Sequence, residues 1–218
     1  MIYVDNSLLK AVARCSTEAV LRYHHGLTSV EERAPLKAGS AGHEALAVWF
    51  RGGTPAEALA AFEAAYAQWA EEHVPPDDRL AYANTSTILS HWLDTHPVSA
   101  FPFRVTPEWV EVGFAYPLDD EITFCGRMDA IMESREDHGL YVVDHKFTGR
   151  ISGAWVQGFR MDSQLSGYPW AAEQTLGRPV IGAFVNAVEF SKLPSDATRK
   201  CPKHAVAYAE CGPLHANA

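Results

Sequence analysis

The sequence predicts an α/β layer built on a mixed sheet, with a helical N-terminal region, and three observations carry that reading. Up to Pro97 the chain reads as one helix after another. From Val98 it turns to three β-prone runs, a helix and a last apolar run, an order in which antiparallel neighbours and one crossover share a sheet. No Gly-rich phosphate loop is present, which sets the chain apart from doubly wound nucleotide folds.

Asp5–His25 predicts the first helix. Asp5 or Asn6 can cap it, Leu9, Val12, Val20 and Tyr23 form a broken apolar stripe, and Gly26 is placed to stop it. Cys15 falls near its middle, where a small core residue is the ordinary role of a lone cysteine. A second helix is expected over Ser40–Arg51, with His43 in its first turn and Gly52-Gly53 ending it. Thr54-Pro55-Ala56-Glu57 has the form of a capping box with Pro at the first helical position, opening an Ala-rich helix to about His73. Pro75-Pro76 breaks the pattern, and a fourth helix runs over Asp78–Thr95.

Trp109–Tyr116 has strand character, Leu118–Glu121 is a turn, and Phe124–Met132 and Leu140–Val143 pair as a hairpin around the polar stretch Ser134–Gly139. Trp155–Leu176 returns to helical spacing, with Gln164 and Tyr168 on one face and Pro169 expected to kink or end its first part. Pro179–Phe190 is the last strand. A length of 218 residues suits one domain: a helical part over 1–97, the sheet and helix over 98–190, and a tail over 191–218.

Composition narrows the function. No apolar run is long enough to span a bilayer, and MIYVDNSLLK lacks a charged segment followed by an apolar one, so a cytoplasmic protein without a membrane partner is expected. In a reducing compartment the four cysteines read as thiols or metal ligands rather than disulfides. A net charge of −9 argues against a protein that coats nucleic acid generically. It is compatible with an acidic site that meets a polyanion only after metal ions and local Lys or Arg offset the charge.

The chemistry concentrates between Cys125 and Thr148. Side chains alternate on a strand, so Asp144 and Lys146 share a face, and Asp129 on the neighbouring strand can lie beside Asp144. Two carboxylates and an ammonium at one spot make poor core material and a good seat for a hard divalent cation.

In order, the chain offers Gly42-His43-Glu44, Glu111 on a strand, Gly126-Arg127-Met128-Asp129, Asp144-His145-Lys146 and Gln164-x-x-x-Tyr168. Together these resemble the PD-(D/E)XK nuclease superfamily, in particular the RecB-like exonuclease branch found in recombination helicases and among CRISPR-associated exonucleases. The resemblance covers His43 to about Phe190 and implies a restriction-endonuclease-like core in a single nuclease domain. It makes Asp129, Asp144 and Lys146 the catalytic residues, and His43, Asp129, Asp144 and the backbone carbonyl of His145 the metal ligands. Gln164 and Tyr168 become DNA contacts. It departs from the family pattern at His145, where an apolar or aromatic residue is frequent, and at Pro169. The implied activity is Mg²⁺- or Mn²⁺-dependent hydrolysis of DNA, as an exonuclease in repair or recombination beside a helicase, recombinase or integration partner. A nuclease-like DNA-binding module that no longer cuts is the alternative, and an unrelated metal-dependent hydrolase a second. Carboxylates holding Mg²⁺ or Mn²⁺ can activate water and offset phosphate charge, a lysine can stabilise the developing charge, and an imidazole ligand favours Mn²⁺ over Mg²⁺.

Some RecB-like members hold an iron–sulfur cluster with one cysteine in the first helix and three near the C-terminus. Cys15, Cys201 and Cys211 fit three of those places and His204 stands in the fourth. A zinc site of Cys201, His204 and Cys211 with Cys15 or His215 is the rival, and a tail without metal a third possibility. Cys125 reads as packing.

Overall fold

The computed structural model describes residues 1–28 and 32–193, so Cys201, His204, Cys211 and His215 lie outside the described residues. In chain order the elements are β1 (Ile2–Val4), α1 (Asn6–Arg14), α2 (Ser16–Ala19) followed by a π-helical turn at Val20–His24, α3 (Ala34–Phe50), α4 (Pro55–His73) and α5 (Tyr82–Thr95). Then come β2 (Phe103–Pro117), β3 (Ile122–Ser134), β4 (Leu140–Thr148), α6 (Gly153–Gln157), α7 (Ser163–Leu176) and β5 (Gly182–Glu189). The residues fall into two compact units interleaved in sequence. Among the described residues, one comprises Met1–Glu32, Pro102–Asp144 and Val156–Val185; the other comprises Arg33–Phe101, His145–Trp155 and the stretch from Asn186 to Leu193.

The sheet is mixed. β1 runs parallel to the start of β3, pairing Ile2–Val4 with Ile122–Phe124, while β2 runs antiparallel along nearly all of β3. β4 is antiparallel to the end of β3, from Ala130↔Val143 to Glu133↔Leu140, and β5 follows β4 in the strand order. β1 and β4 therefore share the edge of β3 that β2 does not occupy. Cys125–Asp129 lies on that edge between them.

In the first unit, Phe114, Phe124, Met128, Ile131, Leu140 and Val142 pack beneath Tyr168, Ala171 and Ala172 of α7. Each large apolar side chain so buried stabilises the unit by about 1.5–3 kcal/mol. In the second, Phe50 is surrounded by Trp92, Phe101 and His145, while Phe62 contacts Tyr66 and Phe190. The buried Tyr66 hydroxyl donates to the Leu80 carbonyl at 2.6 Å. Among the described residues no helix is long and apolar enough to cross a membrane.

Several elements differ from the sequence reading. The first helix is broken at Cys15, whose backbone is extended (φ −160°, ψ 109°), and Cys15 is exposed rather than packed. Cys-Ser-Thr is a poor helix-forming run, which lets the chain leave α1 there. Leu9, Val12, Val20 and Tyr23 stay exposed, and the residues that α1 buries are Asn6 and Ala11. α3 begins at Ala34, with Pro in its first turn, so His43 lies in its middle. Its buried face before Leu46 is made of Ala38, Ala41, Gly42 and Ala45, small residues that give no apolar run to read. α5 begins at Tyr82 because the Asp78 carboxylate turns back to the Leu80 amide at 2.8 Å.

Trp155–Leu176 is two helices, since Asp162 caps a fresh start by accepting from the Gln164 amide at 2.8 Å. Pro169 does not end α7, which runs on to Leu176 with Ala171 and Ala172 held in the core. The Asp5 cap, the Gly26 stop (φ +67°) and the Thr54/Glu57 capping box form as expected.

Candidate active site

The first unit brings three carboxylates into one row of the sheet. Asp129 is the last residue of the β3 edge segment before pairing with β4 begins at Ala130↔Val143, so one further step of that register sets it opposite Asp144. On the other side, the pairs Val110↔Ala130 and Val112↔Met128 leave Glu111 as its partner on β2. Glu111 and Asp129 offer carboxylate oxygens within 4.8 Å of one another. Glu111 adopts φ +60° in mid-strand, a conformation that a non-Gly residue adopts at a cost and that marks functional positions more often than ordinary ones. Its Oε2 is 2.6 Å from Arg127 Nε, and the Arg127 side chain remains 69% exposed.

Asp144 is buried at 1% exposure, and its Oδ1 accepts a hydrogen bond from Gln164 Nε2 at 2.7 Å. Desolvating a carboxylate is expensive, and a side-chain amide returns part of the lost hydration. One turn further along α7, Tyr168 is buried with its ring edge-on to Phe114 at 5.4 Å. Burial pushes its hydroxyl pKa up; the Asn6 side chain opposes the rise, while Asp129, Asp144 and Asp5 add to it. It is therefore protonated and uncharged at physiological pH. A Cβ on Gly126 would lie 3.0 Å from the Phe114 ring and 3.2 Å from the Tyr168 hydroxyl, so the glycine that opens Gly-Arg-Met-Asp is there for close packing. Cys125 is half-buried, and burial, then Asp5, raises its thiol pKa, in keeping with a packing role.

In the second unit the residues after Asp144 on β4 meet α3. The His145 ring is buried, stacks on Phe50 at 5.2 Å and 11°, and lies 3.1 Å from Asn186 Nδ2 through Nδ1. His43 lies with its ring 6.2 Å from His145 and 5.5 Å from Phe147. This approach requires Gly42, because a Cβ there would run into the Phe147 ring. Lys146 is half-buried, two residues beyond Asp144 on the same strand.

Of the residues singled out in the sequence, Asp129, Asp144, Gln164 and Tyr168 meet in the first unit, and His43 and His145 meet in the second. Glu111, noted only as part of a motif series, gains its place from the β2–β3 register and its positive φ, neither of which the sequence displays. A site of carboxylate oxygens with no thiolate among them suits a hard, oxygen-seeking divalent cation.

No curated protein matches the chain. Residues 6–210 match the family model of the PD-(D/E)XK nuclease superfamily, a span that contains Glu111, Asp129, Asp144, Lys146 and Gln164. The mixed sheet flanked by helices agrees with the restriction-endonuclease-like fold of that superfamily. By this match the chain belongs to the PD-(D/E)XK nuclease superfamily.

Proposed function

We propose that the protein is a divalent-metal-dependent deoxyribonuclease, an exonuclease of the RecB-like branch, that hydrolyses DNA phosphodiester bonds in repair or recombination. The observation that carries the reading is the row Glu111, Asp129, Asp144 across three neighbouring strands, with Lys146 following on the third. In this reading Asp129 and Asp144 hold Mg²⁺ or Mn²⁺ together with His43 and the carbonyl of His145, and Glu111 lies beside them. The ion supplies Lewis-acid stabilisation of the phosphate and a water made acidic enough to react at neutral pH.

The protein's own residues do the rest. Asp144, fixed by Gln164 and shielded from solvent, keeps one carboxylate orientation. The Lys146 ammonium stabilises negative charge that develops on the phosphate oxygens. Arg127 adds a local cation to a chain of net charge −9, and Gln164 and Tyr168 border the path of the strand. A polyanionic substrate approaches such a site because local positive charge and the bound ion outweigh the overall balance.

The test uses end-labelled linear DNA and covalently closed circular DNA with Mg²⁺ or Mn²⁺. An exonuclease degrades the first and spares the second. Asp129→Ala, Asp144→Ala and Lys146→Ala should each nearly abolish cleavage with the fold retained by circular dichroism. Full activity of Asp144→Ala would refute the assignment, and DNA binding without cleavage by the parent would favour the silent module.

A further inference from the structure

The residues that hold Asp144 are themselves held by the N-terminal helix. Gln164, which donates to Asp144, stands in the first turn of α7, directly after Asp162 and Ser163. The two oxygens of the Asp162 cap have separate duties: Oδ1 accepts from the Gln164 amide at 2.8 Å, and Oδ2 pairs with Lys10 Nζ of α1 at 2.9 Å. Asp162 is 12% exposed, so this pair is partly shielded, although Lys10 is 48% exposed. Beside it Ser163 Oγ donates to Asn6 Oδ1 at 2.9 Å, and Asn6 is buried at the start of α1. The start of α7 is thus fastened to α1 at two successive residues, and the next residue carries the amide that orients the acid.

α1 is itself anchored close by. It follows β1, which pairs with Ile122–Phe124 on β3, just before the segment that ends at Asp129. Asp5 closes its first turn by accepting from the Leu8 amide at 2.7 Å. One helix therefore refers the start of α7 to the strand that carries Asp129.

We propose that Lys10 and Asn6 are positioning residues for the metal-binding aspartate Asp144, acting through Asp162, Ser163 and Gln164 at the start of α7; the inference rests on the nuclease reading. Neither touches substrate or ion. Without the latch the first turn of α7 frays, as helix ends do when their cap is loosened, and Gln164 samples positions away from Asp144. Metal affinity and turnover then fall together while the core under Tyr168, Ala171 and Ala172 stays packed.

The test titrates Mn²⁺ alone into the DNA-free full chain, following free Mn²⁺ by electron paramagnetic resonance, beside steady-state cleavage and thermal melting. Loss of a group that orients a ligand, as Gln164 orients Asp144, commonly costs 10–100-fold in affinity, and Lys10 acts two contacts further out through Asp162, so Lys10→Ala and Ser163→Ala should each raise the Mn²⁺ dissociation constant by about threefold to tenfold. Turnover should fall by a similar factor, KM for DNA should stay within about twofold, and Lys10→Arg should restore both. Arg14→Ala, on the same helix but paired with Glu18 rather than α7, should match the parent. Unchanged Mn²⁺ affinity and turnover in Lys10→Ala would overturn the proposal. So would losses in Lys10→Ala that track a lowered melting temperature, which would make α1 a structural brace alone. If Ser163→Ala fails to fold, Lys10→Ala with its arginine rescue decides by itself. A parent that neither binds Mn²⁺ nor cuts DNA would refute the nuclease reading, and this proposal with it; a competent parent with indifferent variants would refute this proposal alone.

Discussion

Gly42→Ala isolates the contact that brings His43 to β4. The new methyl would land on the Phe147 ring, all three of its nearest neighbours being atoms of that ring. The ring has little room to retreat, because it stacks against Phe190 at 5.3 Å and meets His43 edge-on at 5.5 Å. Overpacking of this kind costs about 1–3 kcal/mol, and a rigid, doubly contacted ring argues for the upper end. Replacing Gly by Ala inside a helix returns about 1 kcal/mol. The balance is a net loss of about 2 kcal/mol, which for a chain of this size lowers the melting temperature by about 4–8 °C. Gly39→Ala on the same helix is the control. Nothing lies within 4 Å of its added Cβ, so it should gain the helical contribution alone and melt higher than the parent. Thermal melts of the two variants, with Gly42→Ala/Phe147→Leu as a relief variant, decide the matter. A Gly42→Ala protein as stable as Gly39→Ala would refute the reasoning, since the clash would then be absent.

His43→Ala should raise the Mn²⁺ concentration for half-maximal cleavage by at least about tenfold with little change in melting, and an unchanged titration would return His43 to a packing role. Anaerobically purified protein should absorb at about 400 nm if the Cys/His tail holds an iron–sulfur cluster, or stay colourless with zinc by elemental analysis if it holds the mixed site; neither signal would mean that exposed Cys15 joins no metal site. Burial, with the Asp78 charge adding, pushes the Tyr66 hydroxyl pKa up to about 12 from the usual value of 10. The folded state keeps that proton longer than the unfolded chain, so the contribution is complete below pH 10 and drains away as the pH rises to about 12. Tyr66→Phe should flatten the alkaline arm of the stability curve in that window, at the cost of the hydrogen bond to Leu80.

Much of the site was legible because its parts lie near one another in sequence or obey local rules. A hairpin with a polar turn fixes which residues face each other to within a register step, and Asp129 beside Asp144 follows from the Ala130↔Val143 pair. The caps at Asp5 and Thr54 were equally plain, since each needs only a few neighbouring residues. What was illegible depended on contacts far apart in the chain. The break at Cys15 leaves Leu9, Val12, Val20 and Tyr23 outside, although their spacing alone describes a buried stripe. The burial of Asn6 and its bond to Ser163, on distant parts of the chain, cannot be read from either neighbourhood.

Glu111 shows why acid spacing alone undercounts such a site. In the sequence it is one glutamate in a β-prone run, Trp-Val-Glu-Val-Gly, where the ordinary expectation is a solvated edge. Its place opposite Asp129 depends on where β2 slips against β3, between Val105 and Val110. Its φ of +60° then turns the backbone in a way that β-branched neighbours could not tolerate at that position. Such a conformation costs about 1–3 kcal/mol and persists only when surrounding contacts impose it, here the ladder on both sides and the pair with Arg127. Glu111→Gly would relieve the strain and delete the carboxylate, whereas Glu111→Gln keeps the strain and removes only the charge. A chain that becomes more stable as glycine yet loses activity in both forms would identify the strain as the cost of keeping a third carboxylate beside Asp129.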